Sequence, residues 1–418
     1  KITNTDQCSG AIKTDGSLWT WGNNGYGELG NGTKAGKYSP SQVGALTDWS
    51  DISYGYYQTH ALALKTNGSL WSWGDGTYGK LGDGTVVGKS SPIQLGTLTD
   101  WMKIQGGYNF SAAIKTDGTL WTWGQNSYGQ LGDGTLVDKS SPVQIGTGSS
   151  WVSLGCGHPS YILYAVRADG AIWGAGNPNY SLMGTPGLAS SPVQIGTATN
   201  WSEISTFFQG GSVSGGLKTD GSLWVWGAGG SGAMGDSTTT GKSYPYQVGS
   251  LTNWASLSIG YSIAAIKTNG TLWAWGSDSY LQLCVGDNLS RSSPVQIGTL
   301  TDWAQISVGG AHSLALKTNG TLWAWGYNTN GGLGDGSVTL RTSPINVGSL
   351  TNWASISAGY FTSAAIKTDG SLWNWGAGTN GAIGNLTTTN YSSPIQLGSS
   401  TNWSQVSSGV YSVVACKK

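Results

Sequence analysis

The sequence predicts an all-β fold: a single closed β-propeller of eight four-stranded blades over residues 1–418, with a seven-bladed ring plus one displaced unit as the alternative. Three observations predict it. One unit recurs eight times at near-constant spacing. Each copy reads as four short strands separated by turn signals. All 23 tryptophans fall at three positions of the unit.

The repeat is marked three times over. Lys13-Thr-Asp-Gly-Ser-Leu-Trp-Thr-Trp-Gly22 recurs from Lys65, Lys115, Arg167, Lys218, Lys267, Lys317 and Lys367. Its turn glycine falls at Gly16, Gly68, Gly118, Gly170, Gly221, Gly270, Gly320 and Gly370, with spacings of 49 to 52 residues. A Ser-Pro or Tyr-Pro pair supplies Pro40, Pro92, Pro142, Pro192, Pro245, Pro294, Pro344 and Pro394. A Trp-x-x-[Ile/Leu/Val] pattern begins at Trp49, Trp101, Trp151, Trp201, Trp254, Trp303, Trp353 and Trp403. An array closed into a ring counts as one domain however long it runs.

Within each unit the first strand carries Trp-x-x-Ile and ends near a glycine, as from Trp353 to Gly359. The second is short and apolar, as in Ser313-Leu-Ala-Leu-Lys317. Thr-Asp-Gly or Thr-Asn-Gly then turns the chain, because Gly and Asn or Asp accept positive φ. The third strand, Leu-Trp-x-Trp-Gly, alternates so that Leu18 lies on one face and Trp19 and Trp21 on the other. After a long Gly-rich loop, the fourth strand is expected to open with the proline and run Val-Gln-Ile-Gly. Proline donates nothing to a ladder, which suits an outer edge. One such sheet cannot bury both faces alone. Indoles wedged between successive sheets fill that need, each stabilising by about 2–3 kcal/mol on transfer grounds.

Composition removes several function classes. Charged residues make up 10% of the chain and the formal net charge is zero. Typical soluble proteins carry about 25% charged residues. Nucleic-acid binding needs excess cationic side chains to displace phosphate counterions, and the arginines are only Arg167, Arg291 and Arg341. No apolar run approaches the ~20 residues that cross a bilayer, so membrane insertion is not expected. The first residue is Lys1, without a signal-like segment, which reads as a processed chain or a piece of a longer one. Cys8, Cys156, Cys284 and Cys416 follow no metal-ligand spacing.

The run Lys-Thr-Asp-Gly-x-Leu-Trp-x-Trp-Gly, then Tyr128-Gly-Gln-Leu-Gly-Asp-Gly-Thr135, then Ser-Ser-Pro-Val-Gln-Ile-Gly, resembles the regulator-of-chromosome-condensation repeat family over almost the whole chain. The close similarity between copies resembles the bacterial and viral members of that family more than the eukaryotic ones. The resemblance implies a propeller, usually of seven blades, and this chain departs from that by carrying eight units. The family's functions are diverse: a nucleotide exchange factor on chromatin, a plant ultraviolet photoreceptor and an inhibitor of β-lactamase. Zero net charge disfavours the first, and three arginines disfavour the second.

The termini overlap in repeat phase. Ile2 aligns with Ile356, Gly10–Lys13 with Ala364–Lys367, and Trp403–Lys417 is a further copy of the two inner strands. Closure is expected through pairing of N- and C-terminal strands, with the C-terminal copy completing the first blade and residues 1–10 displaced. A disulfide between Cys8 and Cys416 is possible at this seam. Cys156 and Cys284 are expected to be free.

Catalysis finds little support. His60 and His312 occupy equivalent repeat positions and read as structural, and His158 stands alone. Asp83, Asp133 and Asp335 read as turn-formers. Glu28 and Glu203 lie in distant repeats, which leaves no carboxylate pair for glycoside hydrolysis. No cofactor or metal is expected. The loop between the first and second strands is aromatic: Tyr56, Tyr57, Tyr108, Phe110, Tyr261, Tyr360 and Phe361. It departs most in Gly155-Cys-Gly-His158-Pro-Ser-Tyr161 and Thr206-Phe207-Phe208-Gln-Gly-Gly211. The fourth repeat also replaces its second Trp by Ala175 and carries an unusual Asn177-Pro-Asn-Tyr180 loop. These departures read either as drift in tolerant loops or as a contact surface. The candidate face is therefore Tyr56, Tyr57, Tyr108, Phe110, His158, Tyr161, Phe207, Phe208, Tyr261, Tyr360 and Phe361.

The function expected from these features is a non-enzymatic protein-interaction or structural module, located outside the cell, on its surface or on a virion. Its partners would be other proteins or its own copies. The alternative is a lectin-like propeller that binds glycans in adhesion.

Overall fold

Short strands with an apolar residue at every second position leave both faces of a sheet needing cover. This chain covers them by stacking sheet on sheet. The computed structural model spans residues 1–418 and describes 2–4, 8–55, 59–157, 161–177, 188–207, 213–379, 382–385, 387–408 and 413–417. The side chains of residues 2–4, 38, 156, 206, 207, 405 and 413–417 lie outside that description.

Eight four-stranded antiparallel sheets follow one another, each with its strands in sequence order, so the fold class is an eight-bladed β-propeller. Blade two shows the pattern: Trp49–Tyr54, His60–Lys65, Leu70–Gly74 and Lys89–Gln94. Two compact units are formed. The first contains blades one to four, and the second contains blades five to eight with a further strand pair.

The expected placement of proline is corrected. The outer strand begins three residues earlier, and Pro92 is the fourth residue of Lys89–Gln94. The ladder pairs Gly74 with Lys89 and Ser72 with Ile93, with a register shift between them. Proline falls at this irregularity on an edge strand, where its missing N–H costs no regular ladder bond.

The alternation of the third strand sorts its residues between neighbours. Trp71 and Trp73 pack with Cys8, Ile12, Leu18, Leu29 and Val43 of blade one. Leu70 of the same strand packs the other way, with Trp101, Ile104 and Trp123 of blade three. The second tryptophan also carries a directed bond. Trp73 Nε1 donates to the Glu28 carbonyl of the preceding blade at 2.8 Å. The same bond runs from Trp123 to Lys80 (3.0 Å), Trp275 to Ala233 (3.0 Å), Trp325 to Gln282 (2.8 Å) and Trp375 to Gly332 (2.8 Å). In four of these five a glycine two residues beyond the accepting carbonyl makes room, and Cys284 holds that place after Gln282. A Cβ on Gly82 would stand 2.7 Å from Trp123 Nε1, and one on Gly334 2.7 Å from Trp375 Nε1.

Serine hydroxyls add polar stitches near the first strands. Ser53 Oγ accepts the Gly106 N–H at 3.0 Å, Ser258 that of Val308 at 2.9 Å, and Ser307 that of Ala358 at 2.9 Å. At the hairpins of blades two, three and five to eight a lysine lies over two indoles, and Arg167 does so in blade four: Lys317 Nζ is 5.2 Å from the Trp303 ring and 4.4 Å from the Trp323 ring. It also pairs with Asp302 at 3.3 Å. The lysine stem covers apolar surface while its charge stays bonded.

Blade four, with Ala175, has no indole to pass. There a Cβ on Gly132 would lie 3.2 Å from Ala175 Cβ and 3.2 Å from the Pro192 ring. The backbone has closed onto the smaller side chain instead of leaving an indole-sized space.

The chain ends differ from expectation. Ile2–Asn4 pairs with Cys8–Ile12 as the first two strands of blade one, so residues 2–4 and 8–10, expected to be displaced, belong to it. Trp403–Ser408 pairs with Val413–Lys417 as a two-stranded sheet. Its Trp403 and Val406 pack on Ile366 and Leu372 of blade eight. Cys8 is buried. The Cys416 side chain lies outside the described residues, and so does the expected bond between the two.

The histidines are packing elements with a pH consequence. His60 Nε2 meets Ser111 Oγ at 3.0 Å, and His312 Nε2 meets Ser363 Oγ at 2.6 Å. Burial holds His60 down at about 3, with Lys80 adding to the fall, and holds His312 down at about 4, again through burial. Both are neutral when folded, whereas the unfolded side chain takes a proton near 6.5. Their contribution is therefore complete above that value and is lost as pH falls toward 4.

Three outcomes are expected. Trp123→Ala should lower unfolding free energy by about 3–5 kcal/mol in denaturant melts. Ala175→Trp should also destabilise, by about 1–3 kcal/mol, because the closed backbone has no room for an indole. His312→Gln should flatten the loss of stability between pH 6.5 and 4 relative to wild type, read as the difference between the two melting curves.

Candidate functional site

The loops after the first and third strands of each blade bring tyrosines together, once in each compact unit. In the first unit, Tyr108 and Tyr128 of blade three enclose Tyr161 of blade four. Tyr108 and Tyr161 centroids are 4.9 Å apart at 73°, and Tyr128 and Tyr161 4.6 Å apart at 33°. Tyr161 holds φ at 47°, a left-handed conformation that is strained for a side-chain-bearing residue. Burial pushes its phenol up to about 12, with Tyr108 and Tyr128 adding to the rise.

The second unit builds a larger cluster. Tyr261 follows the first strand of blade six, and Tyr280 lies in the long loop of that blade. Tyr327 follows the third strand of blade seven, Leu322–Gly326. Tyr360 and Phe361 form the turn between Trp353–Ala358 and Thr362–Lys367 in blade eight. Tyr261 lies 6.2 Å from Tyr280 and 5.7 Å from Tyr360, both edge to face. Tyr327 bridges Tyr280 at 5.7 Å and Phe361 at 5.9 Å, and Phe361 lies 4.3 Å from Tyr360. The hydroxyls of Tyr280 and Tyr360 are 3.5 Å apart.

A residue of blade eight reaches one of blade six because blade seven contributes glycine. A Cβ on Gly310 would lie 2.3 Å from the Tyr360 ring. The ring therefore lies across Gly310, and any larger residue there would displace it. Burial, the bond to Tyr280 and the neighbouring Tyr261 hold the Tyr360 phenol well above its ordinary range. The cluster offers half-buried aromatic faces edged by hydroxyls, suited to apolar contact and hydrogen bonding.

The structure thus joins Tyr261, Tyr360 and Phe361, and separately Tyr108 and Tyr161, from the residues expected on sequence grounds. It removes Phe110, which is fully buried beneath Gly107 and packs with Ile114, Leu120 and Leu131. Tyr56, Tyr57, His158 and Phe208 lie outside the described residues. Phe207 ends the strand Trp201–Phe207, its side chain likewise outside. Sequence reasoning missed Tyr128, Tyr280 and Tyr327. The signal was present, because Tyr26, Tyr78, Tyr128 and Tyr280 occupy one repeat position in the loop after the third strand.

Charged groups are engaged in structure. Asp83, Asp133 and Asp335 each accept a backbone N–H two residues on, at 2.9–3.0 Å, and pair with Lys89, Lys139 and Arg341. Lys80 is buried, with Nζ 2.6 Å from Asp75 and 2.9 Å from Asn109 Oδ1. Burial pulls its ammonium down and the Asp75 carboxylate opposes that fall. Among the described residues, no group of three His, Cys, Asp or Glu is placed to hold a metal ion.

The profile of the regulator of chromosome condensation (RCC1) repeat matches residues 15–62, 67–114, 117–160, 269–316, 319–366 and 369–416. Human E3 ubiquitin-protein ligase HERC2 is 39% identical over 107 residues, covering 25% of this chain and 2% of that protein. The ultraviolet-B receptor UVR8 of Arabidopsis thaliana is 34% identical over 82 residues, covering 20% of this chain and 19% of the receptor. The match thus spans a small part of these relatives. Human WBSCR16 has a similar fold, with a TM-score of 0.59 and 18% identity over 96% of this chain and 100% of that one. So has yeast RCC1 (Prp20), solved bound to Kap60, with a TM-score of 0.57 and 17% identity over 100% of this chain and 93% of that one. Propellers of this kind serve mainly as protein-interaction modules. With the repeat profile covering most of its length, this chain belongs to the RCC1 repeat family.

Proposed function

We propose that this propeller is a non-catalytic protein-interaction or structural module of an extracellular, cell-surface or virion assembly, and that it binds through its tyrosine clusters. The observation that carries the reading is the group Tyr261, Tyr280, Tyr327, Tyr360 and Phe361, which presents aromatic surface on loops fixed by a rigid sheet framework. Rigid aromatic anchors of this type dominate binding energy at protein interfaces. Low charge and zero net charge support a partner recognised by shape and apolar contact, either another protein or a second copy of this chain. Tyrosine faces also stack on sugars, which makes a glycan the competing occupant.

The test is a Tyr261→Ser/Tyr360→Ser variant against the parent. Expected is a loss of about tenfold or more in partner capture or self-association, about 1.4 kcal/mol or more, with the melting temperature nearly unchanged. Undiminished binding by the variant would remove the face from the proposal. Glycan-array binding that is lost in the variant, with no protein partner, would transfer the face to the lectin reading.

A further inference from the structure

The loop after the third strand is closed in blades one, three and seven by a buried asparagine two residues past the Trp-Gly pair: Asn24, Asn126 and Asn328. Each side-chain oxygen accepts a backbone N–H five residues on, from Leu29 (2.9 Å), Leu131 (3.0 Å) and Leu333 (2.9 Å). Each amide nitrogen donates across the loop to backbone carbonyls. Asn24 reaches Thr33 and Ala35 at 3.0 Å each, and Asn126 reaches Thr135 at 3.0 Å. Asn328 reaches Ser337 at 3.1 Å and Thr339 at 3.0 Å. One half of this slot needs an acceptor and the other half needs a donor.

Blade six puts an aspartate there. Asp278 Oδ1 fills the acceptor half and takes the Leu283 N–H at 2.8 Å. Its Oδ2 takes the place of the amide nitrogen. The side chain is 0% exposed, and Oδ2 is buried with no hydrogen-bond partner. The carbonyls at the equivalent places, nine and eleven residues on, belong to Asp287 and Leu289. The side-chain oxygen that Asn31, Asp133 or Asp335 supplies elsewhere is replaced by Val285. An ionised Oδ2 would meet acceptors only, whereas a protonated one is the missing donor.

The neighbouring charges decide between a proton and a metal cation. Arg291 Nη2 bonds both Asp287 oxygens, at 3.0 and 2.8 Å, and its Nη1 donates to the Leu289 carbonyl at 2.6 Å. The guanidinium thus engages the Asp287 carboxylate and the Leu289 carbonyl, oxygens a metal cation would compete for, and it repels such a cation. The adjacent Cys284 thiol is raised by burial, with Asp278 adding to the rise, and stays neutral. The loop has little freedom to adjust. Leu281 and Cys284 hold φ at 61° and 62° where blade three uses Gly129 and Gly132.

We propose that Asp278 is a proton-binding site: its protonated carboxyl donates to the loop carbonyls as asparagine does in other blades, and its ionisation loosens the blade-six loop. Burial holds this carboxyl up at about 6, with Asp287 adding to the rise and the Leu283 N–H and Arg291 opposing it. The folded value lies above the ordinary 3.8, so the contribution is complete below about 4 and is lost as pH rises through 6. That sign is opposite to that of the buried histidines. The same loop carries Tyr280, so a link from pH to binding rests on the proposed aromatic interface, whereas the proton site itself does not.

Hydrogen exchange read by mass spectrometry tests it, with the Asn328 loop of blade seven as an internal control. Protection of the 277–290 loop relative to 327–340, corrected for intrinsic rates, should fall about tenfold or more between pH 5 and pH 8 in the parent chain. Asp278→Asn should hold that ratio constant. A constant ratio in the parent would overturn the proposal without any variant. Calcium at millimolar concentration restoring protection at pH 8 in the parent, and not in Asp278→Asn, would overturn it in favour of a bound cation.

Discussion

The inter-blade indole bond is the interaction on which the rest of the structure depends. In five blades the second tryptophan of the third strand donates to a backbone carbonyl of the preceding blade, as Trp375 does to Gly332 at 2.8 Å. Area burial alone would let the sheets slide, because the hydrophobic effect has no direction. The N–H adds direction. It fixes which carbonyl, and so which register, each blade presents to the next. The positive-φ residue two beyond the accepting carbonyl follows from the same contact: it is glycine where a Cβ would meet the indole, as at Gly334, and Cys284 in blade six.

Once packing is fixed at the sheets, variation concentrates where packing does not decide. The residue that supplies the accepting carbonyl shows this clearly. It is Glu28, Lys80, Ala233, Gln282 and Gly332 in the five bonds, since only its backbone takes part. Lys80 turns that freedom into a buried ion pair with Asp75, and Asp278 alters the loop beside Gln282. Blade four shows what happens when the rule itself is broken: with Ala175 present, the chain closes onto the smaller side chain.

The tyrosine clusters arise from the same logic. Turns from neighbouring blades lie close together because the sheets beneath them are held close together. A glycine in one turn then lets a ring from the next blade lie across it, as Gly310 does for Tyr360. Aromatic surface is collected from residues scattered over about a hundred positions of sequence, and their meeting depends on the packing of the sheets beneath them.

The sequence by itself determined the number of blades, the four strands in each, and the face to which each indole points. All of these follow from period, alternation and turn chemistry, which are local properties repeated eight times. It also exposed the structural character of His60 and His312 and the turn role of Asp83, Asp133 and Asp335. Tertiary structure decided the rest. The outer strand starts before its proline because a register shift, invisible in one strand, relieves the missing donor. Phe110 is in the core although its turn looks like a surface loop, because Gly107 lets the ring fold under. Tyr128, Tyr280 and Tyr327 join the candidate site because loops distant in sequence converge in space. The unmet donor position at Asp278 is seen only when its partners across the loop are placed. Contacts between separate turns depend on backbone paths over several blades, and those are fixed by packing, not by any one repeat.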